Sequence, residues 1–278
     1  MALPSSGTIT INDIVTEFGG DAPHALSEYY RGGSYVTSNN TDVPTSGTIA
    51  LSDFYDASKG MTGTNTANDS STGSGATHTF SSQSLGTADA SRIIVVTVGM
   101  GVNNANRTIT GVSVAGDNMT LRVGAVGSNT GIENFRAEIW SVALASGTSG
   151  DVVVTLSGTI GGNRGVAISV YSLTGGVVVA PSATATDYDN TTTAPQLSAN
   201  VNTVSAGYVI GVGTAFKVGG TATWGGLTEA IDMRTGNVVQ TVANLAPTST
   251  ETPRTITLDY TTGTTGAQCV AVASWFPS

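Results

Sequence analysis

The sequence predicts a mainly β protein, in which a small N-terminal unit of short strands and short helices precedes an antiparallel, jelly-roll-like β-sandwich. From residue 77 onward, runs rich in Val, Ile and Thr recur about every 8 to 15 residues, a spacing typical of strands in such sandwiches. Gly, Asn and Ser separate the runs, and no stretch sustains the 3.6-residue periodicity of a helix. A chain of 278 residues accommodates one large all-β domain or two modest ones.

The N-terminal unit repeats a phrase. LPSSGTITINDIV at 3–15 aligns with VPTSGTIALSDFY at 43–55, with a constant offset of 40 residues. Each copy predicts a turn at Pro-x-Ser-Gly, then a short strand, then a short helix. Asn12 and Ser52 are the expected helix caps, each followed by an aspartate in the first turn.

The segment between the copies, ALSEYYRGG, predicts a one-turn helix capped by Ser27. A unit of about 58 residues buries little surface alone, so we expect a neighbour to stabilise it. That neighbour is either the C-terminal part of the chain or a partner protein, and aromatic, Arg and aliphatic residues are favoured in interface cores. The candidate docking residues are Ile9, Ile11, Ile14, Phe18, Tyr29, Tyr30, Arg31, Tyr35, Ile49, Leu51 and Phe54.

The composition divides the rest of the chain in two. Residues 59–76 contain one large apolar residue, Met61, among Gly, Ser, Thr and Asn, which predicts a flexible linker. Residues 77–278 are predicted to form one sandwich. The stretches GMGVNN and GVGTAF lack the third glycine and the following helix of a dinucleotide site, so we interpret them as strand ends.

The charge and the cysteine content limit which partners and which disulfides we expect. The net charge is −9 and only two lysines are present, so nucleic acid and anionic membrane surfaces are poor partners. Neither a secretory leader nor a run of about 20 apolar residues is visible, which predicts a protein folded in a cytoplasm, without membrane insertion. The single cysteine, Cys269, allows no intrachain disulfide and is expected to be buried and inert.

No catalytic pattern emerges, and we expect neither an enzyme nor a cofactor. His24 and His78 lie in separate segments without a nucleophile motif. Asp187 and Asp189 could offer oxygens to Ca²⁺, but the loop lacks the glycine and distal glutamate of an EF-hand, so a solvated polar turn is the alternative.

Two aromatic residues are candidate glycan contacts. Trp224 lies in a Gly-rich stretch where it could end a strand and stack on a sugar, although core packing is the default for tryptophan. Tyr188 lies in the polar segment TDYDN. Jelly rolls commonly carry lectin sites, so glycan binding remains a hypothesis for this protein.

The motifs LPSSGTITINDIVTEFGG, ALSEYYRGG and VPTSGTIALSDFYDAS occur in that order within residues 3–58. They resemble the N-terminal segment of tail-fibre and other virion structural proteins of tailed bacteriophages. The later strands, such as SRIIVVTV and ITGVSVAG, are similar to β-sandwich modules of the same class. The resemblance implies a virion component whose N-terminal segment attaches to the particle and whose sandwich projects or decorates.

The expected function is therefore that of a tail-fibre or baseplate-associated protein docked through residues 1–58. It would contact other phage virion proteins, form a homo-oligomer, with a trimer as one option, and enter the virion after assembly in the host cytoplasm. A capsid decoration or head-fibre protein is one alternative. A module that recognises a host surface polysaccharide is another.

Overall fold

A computed structural model describes residues 3–36, 40–103, 107–129, 133–161, 164–175, 178–190, 196–218, 221–261 and 264–277. The N-terminal unit holds one α-helix, α1 (Ile11–Phe18), and two 3₁₀ turns, Leu26–Glu28 and Leu51–Phe54. Seventeen strands follow in the described residues, all paired antiparallel in four sheets. The mainly β prediction is confirmed.

The first nine strands form one sandwich. They are β1 (Thr62–Ser71), β2 (Thr77–Ser84), β3 (Ile93–Asn103), β4 (Ile109–Val114), β5 (Asp117–Asn118), β6 (Thr120–Asn129), β7 (Glu133–Ala143), β8 (Ser149–Leu156) and β9 (Gly165–Thr174). A five-stranded sheet of order β1-β9-β3-β7-β6 faces a four-stranded sheet of order β2-β8-β4-β5.

The last eight strands form a second sandwich. They are β10 (Ala183–Asp189), β11 (Leu197–Thr203), β12 (Tyr208–Val218), β13 (Thr221–Gly225), β14 (Thr228–Thr235), β15 (Val238–Leu245), β16 (Glu251–Thr261) and β17 (Thr264–Trp275). Its sheets have the orders β10-β17-β12-β15-β14 and β11-β16-β13. The prediction of a single sandwich over 77–278 is therefore wrong.

The two sandwiches share one topology. The comparison leaves out the two-residue β5 and matches the other strands in chain order, β1 with β10 through β9 with β17. The order β1-β9-β3-β7-β6 then corresponds to β10-β17-β12-β15-β14, and β2-β8-β4 corresponds to β11-β16-β13. Counted in this way, each half has eight strands, of which the first pairs with the eighth, the second with the seventh and the third with the sixth. This nested pairing gives the jelly-roll-like arrangement that the sequence predicted.

A central apolar layer joins the sandwiches through their five-stranded sheets. Alternate residues of β3 point to opposite sides, so that Ile93 and Val95 enter the central layer while Ile94 and Val96 enter the first sandwich. A continuous apolar run serves both cores. Strand β6 packs on β10 and β17, and its counterpart β14 packs on β1 and β9. This reciprocity is that of an isologous interface, so the two halves resemble a twofold dimer within one chain.

The prediction of a flexible linker is wrong for Thr62–Ser71, which forms edge strand β1 along β9. An edge strand with one partner and a partly exposed face needs few apolar side chains, so its composition resembles that of a linker. Met61 precedes the strand, is buried in the central layer, and donates its N–H to the Ala206 carbonyl oxygen at 2.8 Å. The sandwich therefore begins at Met61.

The N-terminal unit has a core of its own. Nine residues between positions 3 and 57 form a separate buried cluster: Leu3, Ile9, Ile14, Phe18, Tyr29, Val36, Val43, Phe54 and Ala57. The predicted short strands are absent from the described part of this unit, where the β-type pairing is a single bridge between Arg31 and Val36. The segments 8–10 and 48–50 instead lead directly into helical turns.

Candidate functional site: the N-terminal unit

Three helical turns of the N-terminal unit are capped in the same way. The Asp13 carboxylate accepts the backbone N–H of Thr10 at 2.8 Å, and Asp53 accepts that of Ala50 at 2.8 Å. Glu28 accepts that of Ala25 at 3.1 Å. In each turn an acidic side chain at the third helical position satisfies the N–H of the capping residue.

The caps lie two residues before the predicted ones. Thr10 caps α1 instead of Asn12, and Ala50 and Ala25 precede the 3₁₀ turns instead of Ser52 and Ser27. The prediction assumed that the capping residue must carry its own acceptor. In the two 3₁₀ turns the N–H of the third position donates to the carbonyl oxygen of the cap residue instead, and the carboxylate accepts the N–H of the cap residue, so alanine is sufficient there.

The third turn is a copy that the two-phrase alignment missed. TINDIV at 10–15, ALSEYY at 25–30 and ALSDFY at 50–55 follow the same pattern. Each places one fully buried side chain in the common core, namely Ile14, Tyr29 and Phe54. The Tyr29 and Phe54 rings meet edge to face at 6.4 Å. The repeated letters ALS were the signal available in the sequence.

Two tyrosines hold the two Pro-x-Ser-Gly turns. The Tyr55 hydroxyl donates to the Gly7 carbonyl oxygen at 2.5 Å, and the Tyr30 hydroxyl donates to that of Gly47. Both glycines have φ in the left-handed region, +98° and +87°, which explains why glycine ends the turn.

The residue after each tyrosine repeats the pattern on the backbone. The N–H of Asp56 donates to the Pro4 carbonyl oxygen at 3.2 Å, and that of Arg31 donates to the Pro44 carbonyl oxygen at 3.0 Å. The first turn is thus held by the segment after the second copy, and the second turn by ALSEYYR. The unit closes on itself through these reciprocal bonds.

Five predicted docking residues are buried in this core and cannot touch a partner. They are Ile9, Ile14, Phe18, Tyr29 and Phe54. Five others are half-buried: Ile11, Tyr30, Arg31, Tyr35 and Ile49. Leu51 is 37% exposed. The prediction failed for the buried set because interface cores and domain cores favour the same residue types.

A short joint connects the unit to the sandwiches. The Asn40 side chain bonds both backbone groups of Ser58, accepting its N–H at 2.8 Å and donating to its carbonyl oxygen at 2.9 Å. Glu17, at the end of α1, accepts the N–H of Lys59 at 2.8 Å. Three residues, 58 to 60, therefore lie between the last core residue of the unit, Ala57, and Met61 of the central layer.

The two glycan candidates lie on different sheets and differ in exposure. The Trp224 indole N–H donates to the Thr241 hydroxyl at 2.7 Å, and its ring lies against Gly211 of β12. Trp224 is thus partly buried by packing within the second sandwich. Tyr188, on edge strand β10, is 57% exposed.

The candidate calcium ligands Asp187 and Asp189 lie in strand β10 rather than in a loop, and Asn190 follows the strand. Asp187 accepts the N–H of Tyr188 at 2.9 Å and that of Ser198 at 2.7 Å, and Asn190 accepts the N–H of Ser128 at 2.7 Å. Residues 191–195, which follow Asn190, lie outside the described residues. Within the described ranges, no cluster of three or more His, Cys, Asp and Glu side chains is placed to hold a metal ion.

Three other buried titratable side chains make contacts that are typical of structural residues. His78 is buried between the Ser71 hydroxyl and the Gly75 carbonyl oxygen, each at 3.1 Å, and burial lowers its pKa. Burial raises the pKa of the Cys269 thiol to about 12, which fits the predicted inert thiol. Burial also raises the pKa of Glu138, which Arg136 and the Trp140 indole contact.

Comparison with known proteins identifies no family. No family model and no curated protein matches the chain. Among solved structures, the C-terminal domain of the AgI/II polypeptide BspA of Streptococcus agalactiae aligns at 10% identity over 66% of this chain and 76% of that one, with a TM-score of 0.18. A likeness of that degree carries no argument about function. No described helix is long and apolar enough to cross a membrane.

Proposed function

We propose that the chain is a structural component of a tailed-phage particle, a tail-fibre or baseplate-associated protein docked through its N-terminal unit. The observation that carries the proposal is the closed core of residues 3–57, which is separate from the three cores of the sandwiches. A self-contained unit on a short joint suits attachment, and its motifs are those that resemble virion proteins.

The double sandwich supplies the projecting part. Its four sheets stack in one body, because the central layer joins the two five-stranded sheets through residues such as Val95 and Val212. A body of this kind can stand away from a particle without a partner of its own. The same arrangement serves a capsid decoration or head-fibre protein, and the chain is proposed to act as a homo-oligomer in either position.

Host-glycan recognition is the second candidate function. It rests on Tyr188, a large aromatic side chain that is more than half exposed on an edge strand. Exposed aromatic faces stack on sugar rings. Binding of the full chain to an array of bacterial polysaccharides tests it, with loss of signal in Tyr188→Ala as the expected result and uniformly flat signals as the contrary one.

Deletion of residues 1–58 tests attachment. The deletion keeps Met61 and β1, so the sandwiches retain their cores. We expect the shortened protein to unfold cooperatively but to be missing from purified particles that take up the intact chain. The exposed-surface variant Asp117→Asn in the intact chain is the control and should be incorporated normally. Equal incorporation of the shortened protein would overturn the proposal.

A further inference from the structure

The net charge of the chain is concentrated in the N-terminal unit. Residues 1–58 contain seven acidic side chains and one basic side chain, a net charge of −6, while the whole chain carries −9. The acidic residues are Asp13, Glu17, Asp21, Glu28, Asp42, Asp53 and Asp56. The larger remainder of the chain is therefore close to neutral, and the unit is the strongly charged part of the molecule.

The sequence of the unit supplies one base against its seven acids. The single basic residue, Arg31, donates from its guanidinium to the Thr41 carbonyl oxygen at 3.0 Å rather than to a carboxylate. Asp42 and Asp56 are exposed, and among the described residues neither carboxylate has a hydrogen-bond or ion-pair partner. A field of one sign attracts and orients a partner of the opposite sign.

A groove of about 190 Å³ lies within this acidic surface, between residues 40–43 and 53–57. Val43 and Ala57 lie behind its surface and are fully buried, so its accessible walls come mainly from polar residues such as Asn40 and Thr41. Asp42, Asp53 and Asp56 line it as well. A polar groove bordered by carboxylates matches the charged head of a lysine or arginine side chain, which donates charge-assisted hydrogen bonds.

We propose that the N-terminal unit docks on a basic protein surface, and that this groove receives a lysine or arginine side chain of that partner. The inference rests on the proposed attachment function and adds the chemistry of the partner. A protein side chain fits better than a bare cation, because the described residues hold no metal-binding cluster. Nucleic acid is excluded as the occupant by like charge.

Binding of the full-length chain to particles assembled without it provides the test. We expect affinity to fall by about tenfold or more between about 0.05 M and about 0.5 M salt, because screening weakens attraction between exposed charges. The double variant Asp42→Asn/Asp56→Asn should bind several-fold more weakly at low salt and show a weaker salt dependence, because two of the seven acidic charges of the unit are gone. Asn is suited to position 56, where φ is +58°.

The control is Asp117→Asn, which removes one exposed charge from the first sandwich and should leave binding unchanged. Melting temperatures of all variants confirm that the fold is retained. Unchanged affinity of the double variant, or salt-independent binding of the intact chain, would overturn the inference while the attachment proposal stands. Equal binding by the protein lacking residues 1–58 would instead remove the attachment proposal itself.

Discussion

The hydroxyl of Tyr55 donates a hydrogen bond to the carbonyl oxygen of Gly7, 48 residues earlier in the chain. Tyr30 makes the equivalent bond to Gly47. The repeated phrase of the sequence thus encodes two turns of the same shape, each held by an aromatic residue from a different helical turn. Because these two hydrogen bonds join different repeats, they hold the α-helix and the two 3₁₀ turns around one common core.

Removing a tyrosine hydroxyl tests this closure. Tyr55→Phe keeps the ring and deletes the bond to Gly7, which should cost about 0.5–1.5 kcal/mol in the stability of the N-terminal unit. Amide hydrogen exchange of residues 3–58 measures the loss. Tyr188→Phe, which changes an exposed tyrosine on β10, should have no effect on the unit. Equal exchange in the wild type and Tyr55→Phe would contradict the role of the bond.

The cap of α1 should respond to acid. Hydrogen bonds from the Thr10 side chain and backbone lower the pKa of Asp13 below its usual 3.8. Because the folded pKa is the lower one, the carboxylate stabilises the fold above pH 3.8, and that stability is lost as the pH falls through the folded pKa. An NMR titration should show Asp13 titrating below 3.8, and Asp13→Ala should fray α1 at neutral pH. A value at or above 3.8 would be the contrary result.

The central layer should tolerate no added side chain at Gly127. A Cβ there would lie 2.6 Å from the Gln268 carbonyl oxygen, a backbone atom of the facing strand β17. Gly127→Ala should therefore lower the free energy of unfolding by about 1–3 kcal/mol. Gly111→Ala on β4 is the matched control, since a Cβ at that position meets no atom within 4 Å. Denaturant unfolding compares the two, and equal stability would refute the close packing of the two sheets.

His78 should make the first sandwich less stable in weak acid. Burial lowers its pKa from 6.5, so the unfolded chain binds a proton at a pH where the folded chain does not. Stability contributed by the neutral ring is complete well above pH 6.5 and declines as the pH falls through 6.5 towards the folded pKa.

Thermal melts at about pH 7.5 and about pH 5.5 provide the measurement for His78. The wild type should lose more stability over this interval than His78→Gln, which has no imidazole to protonate. The variant keeps a side chain able to bond Ser71 or Gly75. Parallel pH profiles of the two proteins would contradict the assignment.

Sequence patterns predicted the parts of this fold that depend on side-chain periodicity. The strand runs and the two aligned phrases belong to this group. The division into two sandwiches was not predictable, because composition hardly changes across residues 175–183 and the two halves share a topology rather than a phrase. Strand β1 was missed because its stability comes from backbone bonds to β9, which leave no mark on composition.

The candidate docking residues are accessible only in part, for a physical reason. Ile14, Tyr29 and Phe54 have the residue types of an interface core, but they are used inside the unit. Asp42 and Asp56 are exposed on the surface of the unit, and neither residue alone indicates a binding site in the sequence. They become significant because residues 1–58 contain seven acidic residues and a single base, an imbalance that is visible only when the charge of this unit is counted separately.

The most direct measurement of the central claim is hydrogen exchange of the intact chain, free and bound to the particle, read peptide by peptide. Attachment through the N-terminal unit predicts new protection confined to residues 3–58, strongest around the groove at 40–43 and 53–57. Protection that falls on the sandwiches and leaves residues 3–58 unchanged would contradict the account.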